Sequence, residues 1–340
     1  MSQLFSYPNP FTLESGESLP SLEIAYDTYG TLNADRSNVI WVCHALTANS
    51  DVADWWPHTV ESGCFLDPDK YFVICANFLG SHYGTTGPLS INPTTGNPWY
   101  GDFPLITVRD MVRCHQLLAD HLGISKVKLL IGSSIGGFQC LEWCVMQPDL
   151  AEHATFIATS ARTSPWVVAF NQSQRMAIEV DPTFGQPDND AGSAGMAVAR
   201  SIALLSYRGP EAYNKTQEDP DPTTTMFNRR VMSYQNHQGE KLRRRFNAYS
   251  YYRLSQAVDS HNLARGRGSL ENTLRSIKAK CLVVAITPDI FFAPSDHREL
   301  IDYIPKVKYE LINSEFGHDG FLVEHKQLNN IILNFINSKQ

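Results

Sequence analysis

The sequence predicts an α/β fold: a mainly parallel sheet with helices on both faces and one long helical insertion. Three observations carry this. Short apolar runs alternate with helix-like stretches along most of the chain, the rhythm of β–α units. That rhythm stops between residues 165 and 265, where helical stretches and polar turns replace buried strands. One apolar run feeds directly into Gly132-Ser133-Ser134-Ile135-Gly136, a turn pattern that needs a strand before it and a helix after it.

The elements follow in order. Apolar, β-rich runs at 22–29, 39–43 and 71–76 read as the first strands. A helix is predicted over 107–122, with Thr107 as its cap and Asp110 in its first turn. A strand at 127–131 and a helix at 138–146, stopped near Pro148, flank the Gly/Ser turn. A strand at 154–159 precedes the insertion, which contains a polar loop at 188–195 and an acidic turn from Glu218 to Pro222. Strands at 281–286 and 307–312 and an amphipathic helix at 321–335 complete the pattern. The expected organisation is a core of residues 1–164 and 266–340, with residues 165–265 as a helical lid over the active edge of the sheet.

Composition narrows the function. The 340 residues are 43% hydrophobic and 19% charged, enough for one sizeable core. With 28 basic and 35 acidic residues the net charge is −7, so no global basic field favours nucleic acid. No apolar stretch approaches the roughly 20 residues of a membrane helix. The N-terminus lacks a basic segment followed by an apolar one, so a cytoplasmic protein with no membrane partner is expected. Several of the seven cysteines sit inside apolar runs; Cys140 and Cys144, one helical turn apart, read as small buried residues in a reducing compartment. The eleven histidines show no metal-binding spacing, and no metal or resident cofactor is expected.

The Gly/Ser turn carries the chemistry. It reads as a nucleophile elbow that holds Ser134 above a helix N-terminus, with Gly132 and Gly136 small because the turn is tight. A serine hydroxyl needs a base, and the base needs an acid to fix its tautomer. On this architecture the chain order is Ser, acid, His, with the acid and the base just past later strands. Asp289 follows the run at 281–286, and His318 follows the run at 307–312. Asp259, Asp296 and Asp302 do not directly follow a strand. An oxyanion hole needs two N–H donors; Ile135 and Leu46, in the loop after the run at 39–43, are the candidates. His44, in the same loop, reads as positional.

Beyond this constellation, longer motifs stand out. They include His44-Ala45-Leu46-Thr47, the stretch from Asn77-Phe78-Leu79-Gly80 to Gly87-Pro88, Asp102-Phe103-Pro104-Leu105, Gln174-Arg175-Met176, and Gly317-His318-Asp319-Gly320. From about residue 10 onward the chain resembles the homoserine O-acetyltransferase family. The resemblance implies an α/β-hydrolase fold with a helical lid. It implies acetyl transfer from acetyl-CoA, as co-substrate, to L-homoserine, early in methionine biosynthesis, by a homodimer joined through the lid. It also implies that Arg200 and Tyr207 hold or line the site of the homoserine carboxylate, and that Asp319 partners its ammonium. The chain departs from the family's usual pattern at Ile135, where methionine is usual, and at Pro288, where serine is usual. CoA is strongly anionic, and Arg229-Arg230 and Lys241 with Arg243-Arg244-Arg245 are the basic segments available to it. Succinyl-CoA as donor, serine as acceptor, and an esterase on the same triad are the alternatives.

Overall fold

The computed structural model describes residues 2–338. Its strands are β1 (Gln3–Tyr7), β2 (Phe11–Thr12), β3 (Ser18–Leu19), β4 (Leu22–Tyr29), β5 (Val39–Cys43), β6 (Phe72–Ala76), β7 (Val127–Ser133), β8 (Ala151–Ile157), β9 (Lys280–Thr287) and β10 (Val307–Asn313). Eight form one sheet in the order β1-β4-β6-β5-β7-β8-β9-β10. The pairings β1–β4 and β4–β6 are antiparallel, and the rest are parallel. β2 and β3 form a separate hairpin.

β5 explains why the central strands read as unbroken apolar runs. Every residue of Val-Ile-Trp-Val-Cys is buried. Val39, Trp41 and Cys43 enter the core on one face, and Ile40 and Val42 the core on the other. A strand covered on both faces needs apolar residues at both parities of its period of two.

The helices before the insertion are α1 (Val52–Trp55), α2 (Val108–His121) and α3 (Ile135–Met146). α2 begins in a capping box: Thr107 Oγ1 accepts from Asp110 N, and Asp110 Oδ2 accepts from Thr107 N. α2 and α3 cover one face of the sheet, where Trp143 meets Trp41 edge-on at 5.0 Å. The insertion between β8 and β9 contributes α4 (Pro165–Glu179), α5 (Ser193–Tyr207), α6 (Pro210–Gln217), α7 (Arg230–Arg243) and α8 (Ala248–Asp259), and α9 (Leu270–Arg275) follows it before β9. After it come α10 (Arg298–Tyr303), α11 (Gly320–Val323) and α12 (His325–Asn337). α12 buries Leu328, Ile332, Phe335 and Ile336 against the second face, the i, i+4, i+7, i+8 stripe of an amphipathic helix.

Among the differences from the sequence expectation, four have a clear local cause. β1 is a strand although exposed along most of its length; an edge strand held by backbone pairing to β4 needs no apolar run. β8 runs from Ala151 to Ile157 instead of 154–159, because Ala158 turns into the left-handed region (φ 46°) and ends the ladder. α3 starts at Ile135, immediately after the nucleophile turn, three residues before the expected start. The final helix is divided at Glu324 (ψ 40°) into α11 and α12. Among the described residues no helix is long and apolar enough to cross a membrane. Six of the seven free cysteines are buried, and burial raises the thiols of Cys140 and Cys144, the latter to about 12.

Three of the buried histidines are displaced furthest, as neutral rings. Burial pushes His44 down to about 3, His115 to about 4 and His261 to about 3. In the unfolded chain an imidazole binds its proton at about pH 6.5. Below that pH the unfolded state therefore holds more protons, and stability falls as pH drops toward the folded values, by roughly 1 kcal/mol per pH unit for each ring. The expected result is a lower Tm at pH 5 than at pH 7. An unchanged Tm over that interval would contradict the neutral burial of these rings.

Candidate active site

Ser134 is the single residue between β7 and α3, with φ 55° and ψ −125°. That backbone is costly for a non-glycine residue, by about 1–3 kcal/mol, and persists only where its surroundings enforce it. They do so here. Ser134 N donates to Ile157 O at 2.9 Å, and the Ser134 carbonyl accepts from Thr159 Oγ1 at 2.9 Å. The glycines follow from close approach: a Cβ on Gly132 would stand 2.4 Å from the Gly136 carbonyl carbon, and one on Gly136 would stand 2.1 Å from the Cys43 carbonyl oxygen.

Asp289 and His318 meet across two strand ends. His318 Nδ1 lies 2.7 Å from Asp289 Oδ2, and both side chains are buried. Asp289 Oδ1 accepts from the N–H groups of Phe291 (2.7 Å) and Phe292 (2.9 Å), so the carboxylate is fixed by its own turn. A carboxylate on Nδ1 puts the proton there and leaves Nε2 as the basic nitrogen. The rings of Tyr207, Phe291, Phe292 and Phe321 surround the imidazole at 5.4–5.6 Å between centroids. The other carboxylates are engaged elsewhere: Asp259 with Arg175 (2.6 Å), Asp296 with the Ala293 N–H (3.0 Å), and Asp302 with Arg298 (3.4 Å). Gly317, just before His318, takes φ 59°, and a Cβ there would stand 3.0 Å from the Gly209 nitrogen of the insertion, so glycine is favoured at this junction.

A cavity of about 560 Å³ opens on these groups and is bounded by the insertion. Ser134, His318, Leu46, Arg200, Tyr207 and Asp319 all line it. Ser134 Oγ makes no hydrogen bond to His318 among the described residues; such catalytic bonds are often long without substrate and tighten on binding. Ile135 N–H opens α3 and Leu46 N–H has no acceptor among the described residues, which leaves both able to donate to an oxyanion. His44 stacks on Phe78 at 4.2 Å and its Nδ1 holds the Ala45 carbonyl at 2.8 Å, a positional role in the loop. A second cavity of about 440 Å³ is ringed by Lys126, Lys128, Lys278, Lys280 and Lys306; it contains none of these groups.

Arg200 and Tyr207 are seven residues apart on α5 and so share one face. The Arg200 guanidinium lies over the Tyr207 ring, 5.8 Å from its centroid, and forms no ion pair among the described residues. Burial raises the Tyr207 phenol to about 12. Asp319 lines the cavity as well; its Oδ2 is paired with Arg208 Nε at 3.1 Å, and Arg208 also bonds the Tyr234 hydroxyl. Of the basic segments, Lys241 and Arg245 reach the cavity, whereas Arg229 is paired with Asp219 and Arg243 with Glu240. In the sequence the one mark of Arg208 is its place beside Tyr207.

Residues 38–325 match the family model described as the alpha/beta hydrolase fold. The chain is 44% identical over 333 residues to a homoserine O-acetyltransferase of Cyclobacterium marinum, covering 98% of this chain and 94% of that protein. The chain belongs to the homoserine O-acetyltransferase family. Among solved structures, the homoserine O-acetyltransferase from Bacillus anthracis superposes with a TM-score of 0.92 at 26% identity, covering 100% of this chain and 98% of that one. Esterase E22 superposes with a TM-score of 0.89 at 25% identity, covering 99% of this chain and all of that one. The homoserine O-acetyltransferase family thus shares its frame with hydrolases, and shape alone does not divide transferase from esterase. The family is assigned by sequence: the chain is 44% identical to the Cyclobacterium marinum homoserine O-acetyltransferase over nearly its whole length.

Proposed function

We propose that this chain transfers acetyl from acetyl-CoA to the hydroxyl of L-homoserine through an acetyl-Ser134 intermediate. His318 Nε2 takes the Ser134 proton as Oγ attacks the thioester carbonyl. The tetrahedral oxyanion is held by the Leu46 and Ile135 N–H groups. The C–S bond breaks and the CoA thiolate leaves with the proton from His318. The homoserine hydroxyl then attacks the ester carbonyl as His318 takes its proton, and the Ser134 oxygen leaves with that proton. Asp289 keeps the imidazole in the required tautomer and stabilises its charged form.

The observation that carries the transferase reading is Arg200: a cation without a carboxylate partner among the described residues, in the cavity that contains Ser134 and His318. A planar guanidinium suits the substrate carboxylate. Asp319, oriented by Arg208, offers its second oxygen to the ammonium. An ester hydrolase needs neither. Loss of such a charge-assisted contact costs about 1.5–3 kcal/mol, roughly 10- to 150-fold. In Arg200→Ala that loss is expected in kcat/KM for homoserine, with Ser134 acetylation by acetyl-CoA almost unchanged. Stopped-flow acetylation measured beside steady-state transfer separates the halves. Equal slowing of both would assign Arg200 to CoA or to the fold.

The donor and acceptor are tested by crossing acetyl-CoA and succinyl-CoA with L-homoserine, L-serine and water, with free CoA thiol as readout. Only acetyl-CoA with homoserine should turn over rapidly. The cellular setting that fits is methionine biosynthesis in the cytoplasm. A homodimer through the lid is part of the same reading; it is supported by the lid's Met226 and Phe227, both more than three-quarters exposed. Sedimentation equilibrium giving a monomer would overturn the dimer.

A further inference from the structure

The direction of the Leu46 N–H is set by two neighbouring peptide groups, and the second is held from the lid. The Ala45 carbonyl accepts from His44 Nδ1 at 2.8 Å and from the Ala48 N–H at 3.0 Å. Ala45 C=O and Leu46 N–H belong to one planar trans peptide and point in opposite directions. Fixing the carbonyl therefore fixes the N–H. The Ala48 N–H in turn shares a peptide plane with the Thr47 carbonyl, and that carbonyl accepts from Arg245 Nη1. The same guanidinium donates to the Tyr83 hydroxyl at 2.8 Å and approaches Thr47 Oγ1 at 3.3 Å. Arg245 lies just past the end of α7, in the lid, while Thr47 and Tyr83 belong to the core.

We propose that Arg245 is a positioning residue for the oxyanion hole: it locks the 47–48 peptide, which locks the 45–46 peptide, which aims the Leu46 N–H at the reacting carbonyl. The inference rests on the acetyl-Ser134 reading and deepens it. The hole then depends on a contact between the lid and the core, from Arg245 to Thr47 and Tyr83. Arg245 also lines the cavity, so direct pairing with CoA phosphates is the competing role. The geometry favours the loop, because the guanidinium is already engaged by Thr47 and Tyr83.

p-Nitrophenyl acetate separates the two roles, since it delivers the same acetyl group with no phosphate. The rate of Ser134 acylation is read from the p-nitrophenol burst, and in parallel from acetyl-CoA. Arg245→Ala is expected to slow acylation by both donors by about 10- to 100-fold, with KM for acetyl-CoA little changed, as for a misaimed oxyanion donor. Arg245→Lys, which can still reach one carbonyl, should recover part of the rate with both donors. Arg245→Met keeps the apolar stem and repeats the test should the alanine variant fold poorly; thermal melts of each variant check this. Acylation by p-nitrophenyl acetate at the wild-type rate in these variants, with loss confined to KM for acetyl-CoA, would overturn the proposal. A wild-type enzyme that never acylates Ser134 would instead overturn the acetyl-serine reading beneath it.

Discussion

Ser134→Ala is expected to lower kcat for acetyl transfer by about 10⁴-fold or more while leaving the fold in place. The size follows from the role. With no Oγ there is no covalent intermediate, and what remains is binding and the oxyanion hole acting on water or acceptor directly. The fold should survive because the elbow is held by backbone contacts that alanine keeps: Ser134 N to Ile157 O, and the Ser134 carbonyl to Thr159 Oγ1. Alanine also meets the φ of 55° no worse than serine does. Far-UV circular dichroism and Tm check the fold, and free CoA thiol checks the rate. Turnover within tenfold of wild type would require a different nucleophile.

Asp289→Asn is expected to come next in size, with a loss on the order of 10⁴ in kcat, the precedent being the equivalent change in a serine protease. The amide has the same shape as the carboxylate, yet it lacks the charge that stabilises the imidazolium and can donate toward Nδ1, favouring the wrong tautomer. Its Oδ1 would still accept from Phe291 and Phe292, so the turn should hold. Asp296→Asn is the control, because Asp296 serves the Ala293 N–H of its own turn. A nearly silent Asp289→Asn beside a severe Asp296→Asn would mean the acid had been misassigned.

The parts of this site that are local in sequence are the parts that can be read from it. The elbow is legible because its tightness demands small residues at Gly132 and Gly136, and the contact with the Cys43 carbonyl is the reason. Asp289 and His318 are legible because each lies in the loop just past a strand, two residues after β9 and five after β10. The central strands are legible because burial on both faces excludes polar residues, as in β5. Arg208 and Arg245 are not legible in this way. Their partners lie 111 and 198 positions away, at Asp319 and Thr47, and nothing local marks which arginine of a basic stretch will find a partner. The same distance hides the fact that Asp319 is already paired. β1 escapes for a different reason: its ladder hydrogen bonds belong to the backbone, and its exposed side chains leave no hydrophobic pattern.

The central claim is that an acetyl group rests on Ser134 and passes from there to an amino-acid hydroxyl in preference to water. Rapid quench of enzyme with acetyl-CoA, followed by peptide mass analysis and a chase with L-homoserine, tests it directly. The expected result is one acetyl group on the peptide containing Ser134, stable on the timescale of turnover without acceptor and discharged to O-acetylhomoserine on the chase. Product formation with no acetyl-Ser134 at any time, or discharge to acetate at the same rate with and without homoserine, would contradict it.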